Sequence, residues 1–243
     1  MKTYLSAIII AVAVLISVLL LTRAYKYRFT STETVSVVGL AEVDFTSDLI
    51  VWEGNFSRKS QELRLAYSSL KDDEQVISQY LVANGIPDSS FVFSAIDINK
   101  EYTNTYDRNG ELSGKIFAGY TLSQHVNIES KDIAKVEKLS RQVTGLIEKG
   151  IEFNSMAPLY FYTKLADLKM DLLAKASTDA RARAETIAGS VKSRLGKPVK
   201  ANMGVFQITG KNKNEDFSYG GSFNTADKFK TASITIRMDY LLD

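Results

Sequence analysis

The chain has 243 residues, 45% hydrophobic and 24% charged, the composition of a globular protein rather than a disordered or fibrous one. Lys and Arg number 30 against 28 Asp and Glu, and a net charge of +2 is too small for the field that nucleic-acid binding needs. There is no cysteine and one histidine, which excludes disulfides, thiol nucleophiles and zinc sites built from Cys and His.

Residues 4–22 form an uncharged, mostly apolar run of 19 residues. At about 1.5 Å per residue, such a helix nearly spans a hydrocarbon core of roughly 30 Å. Tyr4, Leu5, Ile8, Leu15, Leu19 and Thr22 mark the expected membrane span. The competing reading is a cleaved signal peptide, which needs a shorter apolar core and a small-x-small cleavage site. The available Thr22-Arg23-Ala24 has a bulky cation in the middle. The run therefore reads as a retained single-pass anchor, with 1–34 as anchor and connector and 35–243 as the body. Lys2 precedes it and Arg23, Lys26 and Arg28 follow, a slight charge bias toward a cytoplasmic body. Tyr25, Tyr27 and Phe29 read as interfacial aromatics.

In the body, 35–38 and 45–56 are rich in β-branched and aromatic residues and read as two strands. Residues 57–84 carry an apolar stripe at helical spacing, Leu63, Ala66, Leu70, Ile77 and Leu81, stopped by Gly85 and Pro87. Residues 91–102 read as a strand, and Asn109-Gly110 as a hairpin turn. The return strand alternates cleanly: Tyr120, Leu122, Val126 and Ile128 face one way, Thr121, Ser123, His125 and Asn127 the other.

Ser130 is the expected cap of a second helix, and Pro158 places the strand region 151–162 at an edge or a bulge. Residues 164–195 read as one helix about 48 Å long. Its stripe is alanine in the middle, Ala176, Ala180 and Ala184, and Leu195-Gly196 is its expected stop. A strand over 199–209, a polar loop or hairpin extension over 210–230, and a last alternating strand from Ala232 to Tyr240 complete the chain. The fold class is α+β: an antiparallel or mixed sheet with long helices packed on one face, preceded by a single N-terminal transmembrane helix.

Chemistry is sparse. His125 lacks a Gly-x-Ser-x-Gly partner and sits on a polar strand face, where a hydrogen-bonded or exposed histidine is the simpler reading. Asp72, Asp73 and Glu74 lack calcium-loop spacing and fan out by about 100° per residue, so they read as a solvated patch. No phosphate-binding glycine motif follows a strand. Tyr219 and Phe223, flanking Gly220-Gly221, mark either a contact loop or a flexible tip. The group Lys192, Arg194, Lys197 and Lys200 suits an acidic partner, lipid headgroups or a solvated face.

Gly39, Ala41, Val43 and Asp48 in the opening strands, Gly119-Tyr120 at the return strand, and Ala176, Ala180, Ala184 and Ala188 before Leu195-Gly196 come in the order and spacing of a known family. In these features the chain resembles the SIMPL-domain family of exported bacterial envelope proteins, over roughly 35–240. Ser47 stands where that family usually has proline. The resemblance implies an α+β domain in the periplasm or on an envelope membrane, self-assembly into large ring-like or channel-like oligomers in some members, a stress-linked role, and no catalytic residues to carry over.

The expected function is therefore that of a non-enzymatic, inner-membrane-anchored protein with a periplasmic body that forms homo-oligomers. Ala176, Ala180, Ala184, Tyr219 and Phe223 are the candidate contacts. An accessory subunit docking on another envelope protein complex is the alternative, and a hydrolase using His125 a third reading. No cofactor, metal or nucleic-acid partner is expected, and the membrane lipid around the N-terminal helix is.

Overall fold

A computed structural model describes the backbone of residues 2–29 and 33–243, and the side chains of residues 12–26 and 33–243. Four helices and eleven strands make a mixed α+β fold among these residues. The first helix, α1 (Lys2–Phe29), contains the apolar run. Tyr4, Leu5 and Ile8 lie outside the described side chains. Leu15 and Leu19 are 63% and 67% exposed. Ser17 and Thr22 donate their hydroxyls to the carbonyls of Ala13 and Val18, at 2.9 and 2.7 Å. Among the described residues, no helix is long and apolar enough to cross a membrane.

The chain divides into two compact units. One comprises Met1–Ala41, Leu173–Gly204 and Thr235–Asp243; the other comprises Glu42–Leu172 and Val205–Ile234. Three elements, β1 (Thr34–Thr46), α4 (Leu165–Ser190) and β11 (Phe229–Leu242), contribute residues to both.

The larger unit holds the main core. Strand β2 (Leu49–Ser60) pairs antiparallel with β5 (Leu112–Ser130) from Ile50 opposite Ser130 to Ser60 opposite Tyr120. The short strands β6 (Phe153–Ser155) and β7 (Leu159–Phe161) lie on the other side of β2, and Pro158 falls between them, where no ladder bond is required of it. On β5, β3 (Phe91–Phe93) and then β4 (Asp97–Tyr106) complete the sheet. Ile50, Trp52, Phe56, Leu122, Val126 and Ile128 are buried on one face. Against them pack α2 (Leu63–Ala83), through Leu70, Ile77 and Leu81, and α3 (Ile133–Gln142), through Val136 and Leu139. Trp52 Nε1 donates to Ser155 Oγ at 3.0 Å, so the largest core side chain is satisfied where it is buried. The remaining strands of this unit are β9 (Gln207–Gly210), antiparallel to the start of β11, and β10 (Ser222–Phe223), parallel to β9.

Several local boundaries differ from the expectation. Residues 57–60 remain in β2, and the strand expected over 91–102 breaks at 94–96. There Ser94 N donates to the His125 carbonyl, and Ser94 Oγ accepts from His125 N. The cap of α3 is Asp132, which accepts from Lys135 N at 3.1 Å; Ser130 Oγ instead accepts from Asp132 N. The polar loop over 210–230 is tied by side chains. Glu215 Oε1 accepts from Gly210 N and Asn224 Nδ2, and Asp227 meets both Asn224 and Lys213.

In the smaller unit, Val35, Val37 and Ala41 of β1 are buried and their neighbours exposed. The covering helix α4 presents Ala176, Ala180, Ala184 and Ala188, each at most 1% exposed. A side chain at Gly39 would collide with the Ala176 carbonyl and with Ala180 N, so glycine and alanine together set the close approach of strand and helix. Leu40 N donates to Asp179 Oδ2 at 2.8 Å and locks that register. Helix α4 stops at Ser190, earlier than expected, because the chain turns through Lys192 at φ 61°. Leu195-Gly196 opens β8 (Leu195–Met203) rather than ending the helix, and β8 pairs antiparallel with the end of β11.

Candidate interaction surfaces

The most unusual feature is a ribbon that continues past the main sheet. Strand β4 pairs with β5 along its whole length, from Asp97 opposite Ser123 to Tyr106 opposite Leu112. The partner β2 reaches only to Tyr120 on β5. Residues 112–119 therefore pair with β4 alone among the described strands, and a two-stranded arm with two free edges results. Its tip is a tight turn in which Asp107 Oδ1 accepts from Asn109 N and Glu111 N at 2.8 and 2.9 Å, with Gly110 at positive φ.

The arm begins where the register shifts between Glu101 and Tyr102. Gly119 lies there at φ +135°, and a Cβ on it would approach the Ser60 carbonyl to 2.7 Å. Only glycine suits both demands, which gives a physical reason for the Gly119-Tyr120 marker in the sequence. From this root an aromatic chain runs outward: Tyr120 to Phe117 at 5.1 Å between centroids, and Phe117 to Tyr102 at 5.9 Å, both edge-on. Tyr102, Tyr106, Leu112, Ile116 and Phe117 are all exposed. An isolated two-stranded ribbon is marginal in water, and free edges with apolar side chains invite pairing.

The polar loop over 210–230 presents the second surface. Tyr219 is 93% exposed and stacks edge-on with exposed Phe217 at 5.7 Å. Phe223, in β10, is half-exposed, with Lys230 Nζ 5.8 Å from its ring centroid. Lys230 is itself almost wholly buried; burial pulls its ammonium down, and Nζ donates to the Tyr160 carbonyl. Tyr160 Oη donates to Glu137 at 3.0 Å, and burial with that carboxylate pushes its pKa up to about 12.

The sequence-predicted contacts thus fall in different places. Tyr219 and Phe223 are at the surface, whereas Ala176, Ala180 and Ala184 are sealed inside the smaller unit against β1. The alanine stripe is a device for intrachain packing, because nothing of these side chains reaches solvent. The sequence reading does not single out the exposed arm residues Tyr102, Tyr106, Leu112, Ile116 and Phe117. Their alternation is that of an ordinary strand, and the one signal the sequence offers is the turn at Asn109-Gly110.

His125, Glu53 and Ser94 meet on one face of the main sheet. His125 Nδ1 lies 2.9 Å from Glu53 Oε1 on the polar sheet face, both partly exposed, without the alignment of a hydrogen bond. Its neighbour Ser94 Oγ accepts from the His125 amide and donates to the Ala95 carbonyl at 2.8 Å, not to the ring. Asp73 does not belong to a solvated patch: it is buried and holds Arg58, Nη2 to Oδ1 2.7 Å, which also donates to the Gly150 carbonyl at 2.9 Å. Asp73 holds the Arg58 pKa above its ordinary value. Lys71 and Glu74 pair outside on the same helix. Among the described residues, no three His, Asp or Glu side chains converge as metal ligands do.

The SIMPL family, described as a protein of unknown function (DUF541), matches residues 35–238. The chain belongs to this family. Comparison with curated proteins gave no match.

Proposed function

We propose that this chain is a membrane-anchored envelope protein without catalysis of its own, whose body assembles with further copies through the β4–β5 arm. The observation that carries the reading is the arm: five large apolar side chains on a ribbon with two unpaired edges. Fully burying such a side chain contributes about 1.5–3 kcal/mol. These are already partly covered, so one arm contributes on the order of 5 kcal/mol. That is near the lower end of the roughly 4–15 kcal/mol cost of association. A single contact is marginal, and an anchor that confines copies to one bilayer tips the balance by raising their effective concentration.

The anchor is supported by the apolar run over 4–22 and by the hydroxyls of Ser17 and Thr22, which are bonded to helix carbonyls and ask nothing of water. The SIMPL-domain resemblance favours a periplasmic body and a stress-linked role. The Ser94 hydroxyl beside His125 donates to the Ala95 carbonyl and not to the ring, which favours binding over bond-making.

The chain's lack of cysteine allows a clean test. A Thr103→Cys variant in intact cells is expected to form disulfide-linked pairs of this chain. A crosslink only to a different protein would transfer the body to the second reading, an accessory subunit. Tyr219, at the tip of its loop, is the observation that favours that reading.

A further inference from the structure

A basic edge of the smaller unit has no role in the reading above. Lys192, Arg194 and Lys197 are exposed, and exposed Val191 and Val199 flank them. They follow one another along the turn that leaves α4 and along the first residues of β8. The backbone fixes where this edge lies. Leu242 N donates to the Glu33 carbonyl at 2.9 Å, Leu242 pairs with Leu195, and Arg194 and Asp243 exchange both backbone hydrogen bonds. The edge therefore sits beside Glu33, the first described residue after α1.

Only residues 30–32 separate Phe29, the end of α1, from Glu33. At no more than about 3.5 Å per residue, the four steps from Phe29 to Glu33 reach at most about 14 Å. Arg23 and Lys26 on α1 add two further cations on the same side of the apolar run. The carboxylates of this region are Glu33 and Asp243, and Asp239 stands opposite Lys200 further along β8. At the edge itself, the three cations Lys192, Arg194 and Lys197 outnumber Glu33 and Asp243, and the exposed valines match the apolar side of an interface.

We infer that Lys192, Arg194 and Lys197 rest on anionic lipid headgroups, so that the smaller unit lies against the bilayer instead of swinging on its connector. The inference rests on the anchored reading of α1, because the short tether is what holds the edge at the surface. Tethering makes weak attraction sufficient: each Lys or Arg near an anionic surface strengthens contact roughly fivefold, and three act together by about a hundredfold. The attraction falls as salt shortens the Debye length.

The test uses the full chain carrying one environment-sensitive dye on Ser193→Cys, reconstituted in phosphatidylcholine vesicles with or without about one third phosphatidylglycerol. The expected result is blue-shifted dye emission with phosphatidylglycerol at about 0.05 M salt, lost at about 0.5 M. It is also lost in a Lys192→Gln, Arg194→Gln, Lys197→Gln variant and kept when the two lysines become arginine. Flotation of the vesicles reads the anchor separately and is expected to be equal throughout. Equal emission on both lipids, or a shift that survives the triple substitution, overturns the inference. A chain that floats with neither lipid overturns the anchor. Binding to phosphatidylglycerol vesicles alone, with the salt-sensitive shift, removes the anchor and retains the basic edge.

Discussion

Asp73 and Arg58 show how one residue of an apparently solvated triplet organises a core. Asp73 occupies the inward face of α2, and Arg58 reaches it from the end of β2 while bonding the Gly150 carbonyl. Removing one member of such a pair leaves a buried charge without its partner. We expect Asp73→Ala to cost about 3 kcal/mol, the low end for a buried pair because Arg58 is partly exposed. Asp73→Leu combined with Arg58→Met recovers most of the loss, and thermal unfolding of the variants measures both. Asp227 makes a pH prediction for the loop over 210–230. Hydrogen bonding from Lys213 holds its carboxyl below the ordinary value of 3.8. A depressed carboxyl contributes stability above its unfolded pKa, and that contribution is lost as pH falls through the folded pKa. Amide exchange at Asp227, whose N–H donates to Asn224, is therefore expected to quicken as pH drops below about 4 after correction for intrinsic rates.

At the scale of elements, the close approach of β1 and α4 depends on Gly39 and the alanines. Gly39→Val meets backbone atoms that cannot yield, and we expect about 3 kcal/mol of destabilisation in thermal unfolding, the upper end for overpacking. The arm behaves oppositely. Tyr102→Ser with Phe117→Ser is expected to change the stability of the body by less than about 1 kcal/mol, because both side chains stand outside the core. Much of this was legible beforehand. The alternation on β5 placed Leu122, Val126 and Ile128 inward, and the stripe on α2 placed Leu70, Ile77 and Leu81 there. The reach of the arm was not, since an alternating strand looks the same whether its neighbour stops at Tyr120 or continues to Leu112. Nor was the use of the alanine stripe, because small residues favour any close partner and the partner, Gly39, lies far away in sequence. The break at 94–96 and the cap at Asp132 turn on single side-chain hydrogen bonds that compete with simpler local patterns.

At the scale of the whole molecule three features stand out: an apolar N-terminal run, a basic edge next to the connector, and an exposed apolar arm. The neighbours proposed for them are, in turn, hydrocarbon, headgroups and another copy of the chain. Assembly through the arm is tested most directly by the mass of the full chain crosslinked in lipid vesicles, where the bilayer confines the copies, and then solubilised in detergent. Light scattering after size-exclusion separation is expected to give a defined multimer for the native sequence. It is expected to give a single chain for the Tyr102→Ser, Phe117→Ser variant with unchanged thermal unfolding. A native sequence that runs as a single chain, or a variant that keeps the multimer, contradicts the account.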